Sequence, residues 1–290
     1  MVKLSIIILT YNSEKYIDPL IQSLNKKYSE QLKRKEIEII IADNESLDGT
    51  LNKAQKYKDD VKIISNGGNF GYAKGNNLAF KKANGEYILF LNPDAKLYHG
   101  DLLEVLNLFD DEKVGVVGGR IISLDGKKEL SCGKFYNPFN TLMLALGLEN
   151  VIGLRFSPER EKKVDFVSGG FMFVRRKVFE SINGFDENYF MYIEDSDLCY
   201  QVRKRGFVVK FSPKATIQHV GQGSSNRTFA IVNIYKGLLY FNKKNLGSVA
   251  RLIVKIILSI KAILLVLVGK IMNNKYLETT YNEALKGISK

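Results

Sequence analysis

Short, continuous β-branched runs alternate with amphipathic stretches over the first 120 residues, and this alternation limits the fold more than any other feature. Leu4-Ser5-Ile6-Ile7-Ile8-Leu9 is apolar almost throughout, so it predicts a strand buried on both faces, as in a parallel sheet. Ser13 stands at a helix N-cap position, and Tyr16, Ile17, Leu20, Ile21 and Leu24 follow at helical spacing. A second buried strand is predicted over residues 37–42, ending at Asp43. Helices near 47–57, 73–83 and 102–109 then alternate with strands near 61–64, 87–91 and 114–117. The class is therefore α/β, a Rossmann-like, mostly parallel sheet flanked by helices. In such sheets ligands sit outside the carboxyl ends of the strands. Three polar clusters fall there: Thr10-Tyr11-Asn12, Asp43-Asn44 and Asn92-Pro93-Asp94. Past residue 120 the pattern loosens, and residues 135–156 are apolar without a clear period.

With 290 residues, 45% hydrophobic and 26% charged, the chain is globular in composition, which excludes a disordered or collagen-like polymer. It is long enough to bury a core without a disulfide or structural metal. Cys132 and Cys199 lie far apart and form no CxxC pair. That excludes a disulfide framework and a cysteine zinc site, and suits a reducing cytoplasm. Both are expected to be ordinary semi-buried thiols, and His99 to be solvated in a loop without a motif. The first apolar run is six residues long and lacks a cleavage-site pattern, so the working part of the protein is expected to face the cytoplasm.

The net charge of +12 is uneven: residues 241–290 hold nine Lys/Arg against two Glu. A basic tail suits nucleic acid or an anionic membrane. No zinc finger, RNP-type aromatic motif or Lys/Arg block accompanies it, which argues against nucleic acid. Residues 246–272 are the most apolar part of the chain, yet Arg251, Lys255 and Lys261 interrupt them. Each would cost roughly 2.5–3.5 kcal/mol at a bilayer centre. On a helical wheel Lys244, Ser248, Arg251, Lys255, Ser259 and Lys270 share one stripe, with Lys261 off it. One basic stripe on an apolar helix predicts an in-plane membrane helix, peripheral at the inner face of the cell membrane. Packing on the domain or on a second subunit, as in a homodimer, and a true membrane span are the alternatives.

The segment from Asn183 to Cys199 places Asp186, Glu187, Glu194 and Asp195 among Phe190, Met191 and Tyr192. Adjacent carboxylates in a partly apolar setting raise each other's pKa, which suits a general base. Helix caps and surface loops also use Glu-Asp pairs.

Seven stretches in one order resemble the inverting family 2 glycosyltransferases of GT-A fold, particularly the rhamnosyltransferase-like branch. They are Thr10-Tyr11-Asn12, Asp43 to Thr50, Asn69 to Asn77, Leu91 to Ala95, Asp165 to Gly170, Gly184 to Leu198, and His219 with Gly223-Ser224. The resemblance covers roughly residues 3–225. It implies a GT-A domain over 1–225 and a helical extension over 226–290, membrane-surface or dimer-forming. It assigns Thr10, Tyr11, Asn12 and Asp43 to the nucleotide, with Asp43 accepting a pyrimidine imide N–H and an aromatic stacking nearby. For Asp43 an N-cap or Asx-turn is the structural alternative, and Asp48 is read as structural.

Asn69, Gly71, Lys74 and Asn76 would approach ribose and diphosphate, with glycines admitting the backbone and helix N-terminal N–H groups facing phosphate. Asn92-Pro93-Asp94 occupies the Asp-x-Asp position of that superfamily, with Asn92 replacing the first carboxylate. The resemblance makes Asp94 and His219 ligands of a divalent cation, Mg²⁺ or Mn²⁺. It makes Asp195 the catalytic base, Glu194 its orienting neighbour, and Ser168, Gly169 and Gly170 neighbours of the donor sugar or acceptor. The implied donor is dTDP-L-rhamnose or another dTDP- or UDP-sugar, and the implied acceptor a lipid-linked or surface glycan. The rival class is a non-catalytic nucleotide-sugar-binding scaffold. A nucleotidyltransferase would want a Gly-rich loop with Arg and Lys straight after the first strand, which Thr10-Tyr11-Asn12-Ser13 is not. Nor is there a GxGxxG there, so a nicotinamide-binding Rossmann domain is excluded.

Overall fold

The computed structural model describes residues 1–219 and 226–289. In chain order the elements are β1 (Leu4–Thr10), α1 (Glu14–Lys33), β2 (Ile37–Asp43), α2 (Thr50–Gln55), β3 (Lys62–Ser65), α3 (Gly71–Phe80), β4 (Tyr87–Leu91), β5 (Ala95–Gly100), α4 (Leu102–Leu106) and β6 (Val114–Ile122). There follow β7 (Cys132–Gly133), α5 (Pro138–Ala145), β8 (Arg155–Phe156), β9 (Lys162–Lys163), β10 (Phe166–Val167), β11 (Phe171–Arg175), α6 (Arg176–Ser181), α7 (Glu194–Lys204) and β12 (Val208–His219). Three long helices end the chain: α8 (Arg227–Leu246), α9 (Ser248–Ile271) and α10 (Lys275–Ser289).

The chain divides into two compact units. The first takes the described residues of Met1–Gly133, Phe156–Phe190 and Asp195–Ser224; the second takes those of Lys134–Arg155, Met191–Glu194 and Ser225–Lys290.

In the first unit the predicted alternation is realised. Among the described residues nine strands form one sheet, in the order β3-β2-β1-β4-β11-β6-β12-β5, with β9 beside β12. β1 pairs in parallel with β2, Thr10 opposite Asp43, and with β4, Ile8 opposite Leu91. Apart from half-buried Leu9, the apolar residues of β1 and β4 touch almost no solvent, because helices cover both faces of a parallel sheet. The buried stripe of α1, Tyr16, Ile17, Leu20, Ile21 and Leu24, extends to Tyr28. The mixed part of the sheet went unread in the sequence. β11 inserts antiparallel between β4 and β6, Phe171 opposite Leu91, and β5 pairs antiparallel with β12, Ala95 opposite His219. This places the residues just before β11 beside the carboxyl end of β4. His99 lies on edge strand β5, exposed, rather than in a loop. Cys132 and Cys199 are fully buried rather than semi-buried, and burial pushes the Cys199 thiol up.

The second unit is helical. Asn226 caps α8 through Oδ1, which accepts from the Thr228 and Phe229 amides at 2.7 and 3.2 Å. Gly247, at φ +93°, separates α8 from α9, so the predicted stripe does not run on one helix: Lys244 belongs to α8. α8 and α10 meet through Thr228 and Thr280, hydroxyl to hydroxyl at 2.7 Å. Part of the segment without a period is helix α5, capped by Asn137, whose Oδ1 accepts from the Asn140 amide at 2.8 Å.

Candidate active site

The parallel register brings the ends of β1 and β2 together, and a network of short polar side chains closes the turn between them. Asp43 Oδ1 accepts from the hydroxyls of Thr10 at 2.7 Å and Ser46 at 2.6 Å, while Oδ2 accepts from the Ser46 amide at 2.8 Å. Thr10 and Asp43 have no exposed surface. The two side chains that the resemblance assigns to the nucleotide base thus meet within the turn. The Asx-turn accounts for Asp43, and both residues hold the floor of the turn. Tyr11 and Asn12 remain exposed above it, with Asn12 at φ +49°, its amide donating to Ser46 Oγ at 2.9 Å. Ser13 is not a cap through its side chain; the Glu14 amide donates instead to Asp48 Oδ2 at 3.1 Å. Asp48 also accepts from Thr50. Burial would raise its pKa, but these hydrogen bonds outweigh burial and hold it below the usual range. Asp48 is structural, as read.

Asn44, buried, organises the second loop. Its Nδ2 donates to Gly71 O at 3.0 Å, and its Oδ1 accepts from Asn66 at 2.8 Å. Gly71 sits at φ +76°, and a Cβ there would collide with the Phe190 carbonyl oxygen, so this approach requires glycine. The first N–H groups of α3 are already used: Gly71 donates to Asn69 Oδ1 at 3.2 Å and Tyr72 to Phe190 O at 2.7 Å. Asn76, assigned to the donor by the resemblance, is buried and donates back to Tyr72 O at 2.9 Å within its own helix. Asn69 is exposed, and Lys74 Nζ lies 4.2 Å from the centre of the Phe70 ring.

A continuous line of contacts joins the remaining candidates. Asp195 and Glu194 open α7, just after Tyr192 and Ile193, which both take left-handed backbone (φ +71° and +69°). Such conformations cost of order 1–3 kcal/mol each and cluster at functional sites. Asp195 accepts from the Ser196 amide at 2.7 Å and the Gly169 amide at 3.0 Å. Gly169 O accepts from the Tyr72 hydroxyl at 2.7 Å. Gly170 O accepts from the Asn92 amide at 3.0 Å, and a Cβ on Gly170 would press against the Asn92 side chain. Ser168 donates its amide to Ser131 O at 2.8 Å.

Two residues beyond Asn92, Asp94 is buried, and its Oδ2 meets His219 Nε2 at 2.9 Å. His219 Nδ1 meets Glu129 at 3.1 and 3.2 Å. The Asp94 hydrogen bond raises the His219 pKa to about 9 against the opposing effect of burial, and Glu129 adds to the rise. Glu129 had no motif around it and was missed. Gly223 and Ser224 lie outside the described residues.

The glycosyl transferase family 2 profile matches residues 5–182, and a galactosyltransferase profile, described as an N-terminal domain, matches residues 157–222. The chain belongs to glycosyl transferase family 2. It is 31% identical over 235 residues to rhamnosyltransferase WbbL of Escherichia coli, covering 77% of this chain and 85% of that protein. It is 30% identical over 208 residues to the low-salt glycan biosynthesis hexosyltransferase Agl10 of Haloferax volcanii, covering 69% of this chain and 62% of that protein. In fold the transferase resembles the Pyrobaculum calidifontis mannosyltransferase PcManGT, solved with GDP-Man and Mn²⁺. The TM-score is 0.60 at 16% identity, over 98% of this chain and 85% of that one. Staphylococcus aureus TarS 1-349 with UDP gives a TM-score of 0.56 at 18% identity, over 89% and 70%. The chain is thus a glycosyltransferase of GT-A fold and of the hexosyltransferase kind.

The residues present fit a divalent cation at Asp94. Its Oδ1 is buried and has no hydrogen-bond partner, an arrangement that costs free energy unless something binds there. The set is oxygen and imidazole, compatible with Mg²⁺ or Mn²⁺. Among the described residues no group of three or more His, Cys, Asp or Glu has metal-holding geometry.

Proposed function

We propose that the enzyme transfers a sugar with inversion from a nucleoside-diphosphate sugar to a hydroxyl of a lipid-linked or surface glycan. L-rhamnose from dTDP-L-rhamnose is the first donor to test. The observation that carries the reading is the line of contacts from Asp195 through Gly169-Gly170 and Asn92 to Asp94 and His219. It sets a carboxylate and a cation-accepting pair on either side of two glycines, over which the Tyr72 hydroxyl and the Asn92 side chain pack too closely for any larger residue. Asp195 takes the proton of the acceptor hydroxyl as that oxygen bonds to the anomeric carbon. The bond from that carbon to the diphosphate oxygen breaks, and the nucleoside diphosphate leaves with the electron pair. One displacement needs one base and no covalent nucleophile. Asp94 and His219 would hold the divalent cation, which, when bound, neutralises charge on the leaving diphosphate. Glu129 orients His219 by accepting its Nδ1–H, which leaves Nε2 for the site.

The likeness to a rhamnosyltransferase supports the donor, and UDP in the TarS structure keeps UDP-sugars in the panel. The test is turnover of dTDP-L-rhamnose, UDP-GlcNAc, UDP-glucose and GDP-mannose, read as free nucleoside diphosphate with a lipid-diphosphate-sugar acceptor. Faster release from dTDP-L-rhamnose supports the donor assignment. Release from none of the four, with folded protein and acceptor present, overturns the transfer reading.

A further inference from the structure

Within the second unit, α9 has two faces. Val254, Leu258, Ala262, Val266 and Gly269 recur at helical spacing and are buried, with α8 and α10 packed against the helix. Half a turn round, Leu252, Ile256, Ile260, Ile263, Leu267 and Ile271 form a second stripe, and each keeps at least 49% of its surface exposed. At 1.5 Å per residue this apolar stripe is roughly 30 Å long. Singly exposed apolar residues are normal on any protein; an unbroken stripe of this length marks an interaction surface. Helix α5 packs on the same helix, with Lys261 Nζ 3.3 Å from Leu144 O. It exposes Phe139, Leu142 and Leu146, three and four residues apart. Two helices that touch each other thus both leave an apolar face without a partner.

We propose that this surface seats on an anionic lipid bilayer, with α9 lying in its plane. Charge selects the occupant. Helices α5, α8 and α9 contain no Asp or Glu, and Lys243, Lys244, Lys270 and Lys275 stand exposed around the ends of α9. A second copy docking through this face would set these cations against their own copies, whereas anionic headgroups complement them. Packing selects the orientation. By length and composition α9 could cross a membrane, but its Val254 face is committed to α8 and α10, so only the opposite face meets lipid. Lys261, which interrupts the apolar run, faces neither lipid nor water alone: its ammonium is tied to the α5 carbonyl. The surface stands on α5 and α9 and does not depend on the sugar transferred.

The test is co-sedimentation of the full chain with vesicles of equimolar phosphatidylglycerol and phosphatidylcholine, and with phosphatidylcholine alone. The chain should pellet with the anionic vesicles, less so as salt rises, and poorly with the neutral ones. The double variant Ile256→Glu, Ile263→Glu, on the exposed stripe, should lose on the order of tenfold partitioning per substitution. An unchanged circular dichroism spectrum and unchanged nucleoside diphosphate release in vesicle-free buffer keep that loss from being misfolding, and separate it from any failure of the transfer reading. A full chain left in the supernatant, or a double variant that pellets as well as the parent, overturns the proposal. So does light scattering that shows a dimer converted to monomer by the double variant while vesicles are ignored, because the occupant is then a second copy.

Discussion

Glu129→Gln tests the arrangement around His219 without touching Asp94. Held by Asp94, and further by Glu129, His219 titrates at about 9 instead of 6.5. One pKa unit corresponds to ~1.4 kcal/mol, so ~3 kcal/mol of folding stability depends on the charge of this group. Because the folded value is the higher one, that stability is fully present below pH 6.5 and is lost as pH rises through about 9. Asp94 is the larger cause, and the Glu129 side chain is 36% exposed, so solvent screening limits its share to about 1 kcal/mol. The variant should therefore be about 1 kcal/mol less stable at pH 6–7 and nearly equal to the parent above pH 10. Its His219 pKa should fall but stay above 6.5. Urea denaturation across this pH range gives the stability, and proton NMR of the imidazoles gives the pKa. The chain has only two histidines, so two signals need assignment. A parent His219 titrating near 6.5, or one whose pKa is unmoved by Glu129→Gln, refutes the geometry of the Glu129, His219 and Asp94 line.

Asp195→Asn should lower turnover by roughly 10²–10⁴-fold while calorimetry finds donor binding close to the parent's; turnover within a few-fold of the parent removes Asp195 as the base. Chelation with EDTA should stop turnover, and Mg²⁺ or Mn²⁺ should restore it, with one proton released per cation bound near pH 7 because His219 is protonated there; full activity in verified metal-free buffer refutes the cation role of Asp94. Gly71→Ala, which forces a Cβ against the Phe190 carbonyl at a left-handed position, should cost at least ~1 kcal/mol of stability by thermal unfolding, and a neutral result refutes the close approach of these two segments.

The parallel half of the sheet was legible because a strand buried on both faces needs an unbroken apolar run, and Leu4 to Leu9 and Tyr87 to Leu91 are such runs. Boundaries moved where side chains took over from periodicity. The helix predicted over 47–57 begins at Thr50 because Asp48 and Gly49 form its entry turn. The antiparallel strands were harder to read. β11 follows directly on Ser168-Gly169-Gly170 and is as apolar as any core segment, so its direction is not written in its composition. Direction depends on which strand it pairs with, and only the assembled sheet decides that. In the second unit the C-terminal helical extension was legible and α5 was not, for a related reason. Its helices bury narrow stripes and expose apolar faces, so the polar side that makes a helix readable is missing from α5.

The site separates in the same way into what a motif shows and what pairing supplies. Asp94, Asp195 and the two glycines were legible as short patterns, Asp94 just past β4, Asp195 at the start of α7 and the glycines just before β11. Asp43 was legible as a position, but its hydrogen bonds were not. Its carboxylate is consumed by Thr10 and Ser46 once β1 and β2 lie side by side, a fact that depends on register. Glu129 left no trace in the sequence, lying 90 residues from His219 between a turn and a two-residue strand. Its placement follows from its amide donating to Ile121 O at 2.9 Å, which folds the chain back along β6, while β12 runs beside β6 and carries His219 at its end. Two strands in one register therefore set the carboxylate against the imidazole. A metal-binding histidine needs its second nitrogen held to aim the first, and here the sheet supplies the holder. Shifting β12 by one residue would turn His219 to the opposite face of the sheet and away from both carboxylates, so the register of β6 with β12 is as much a part of the site as Asp94.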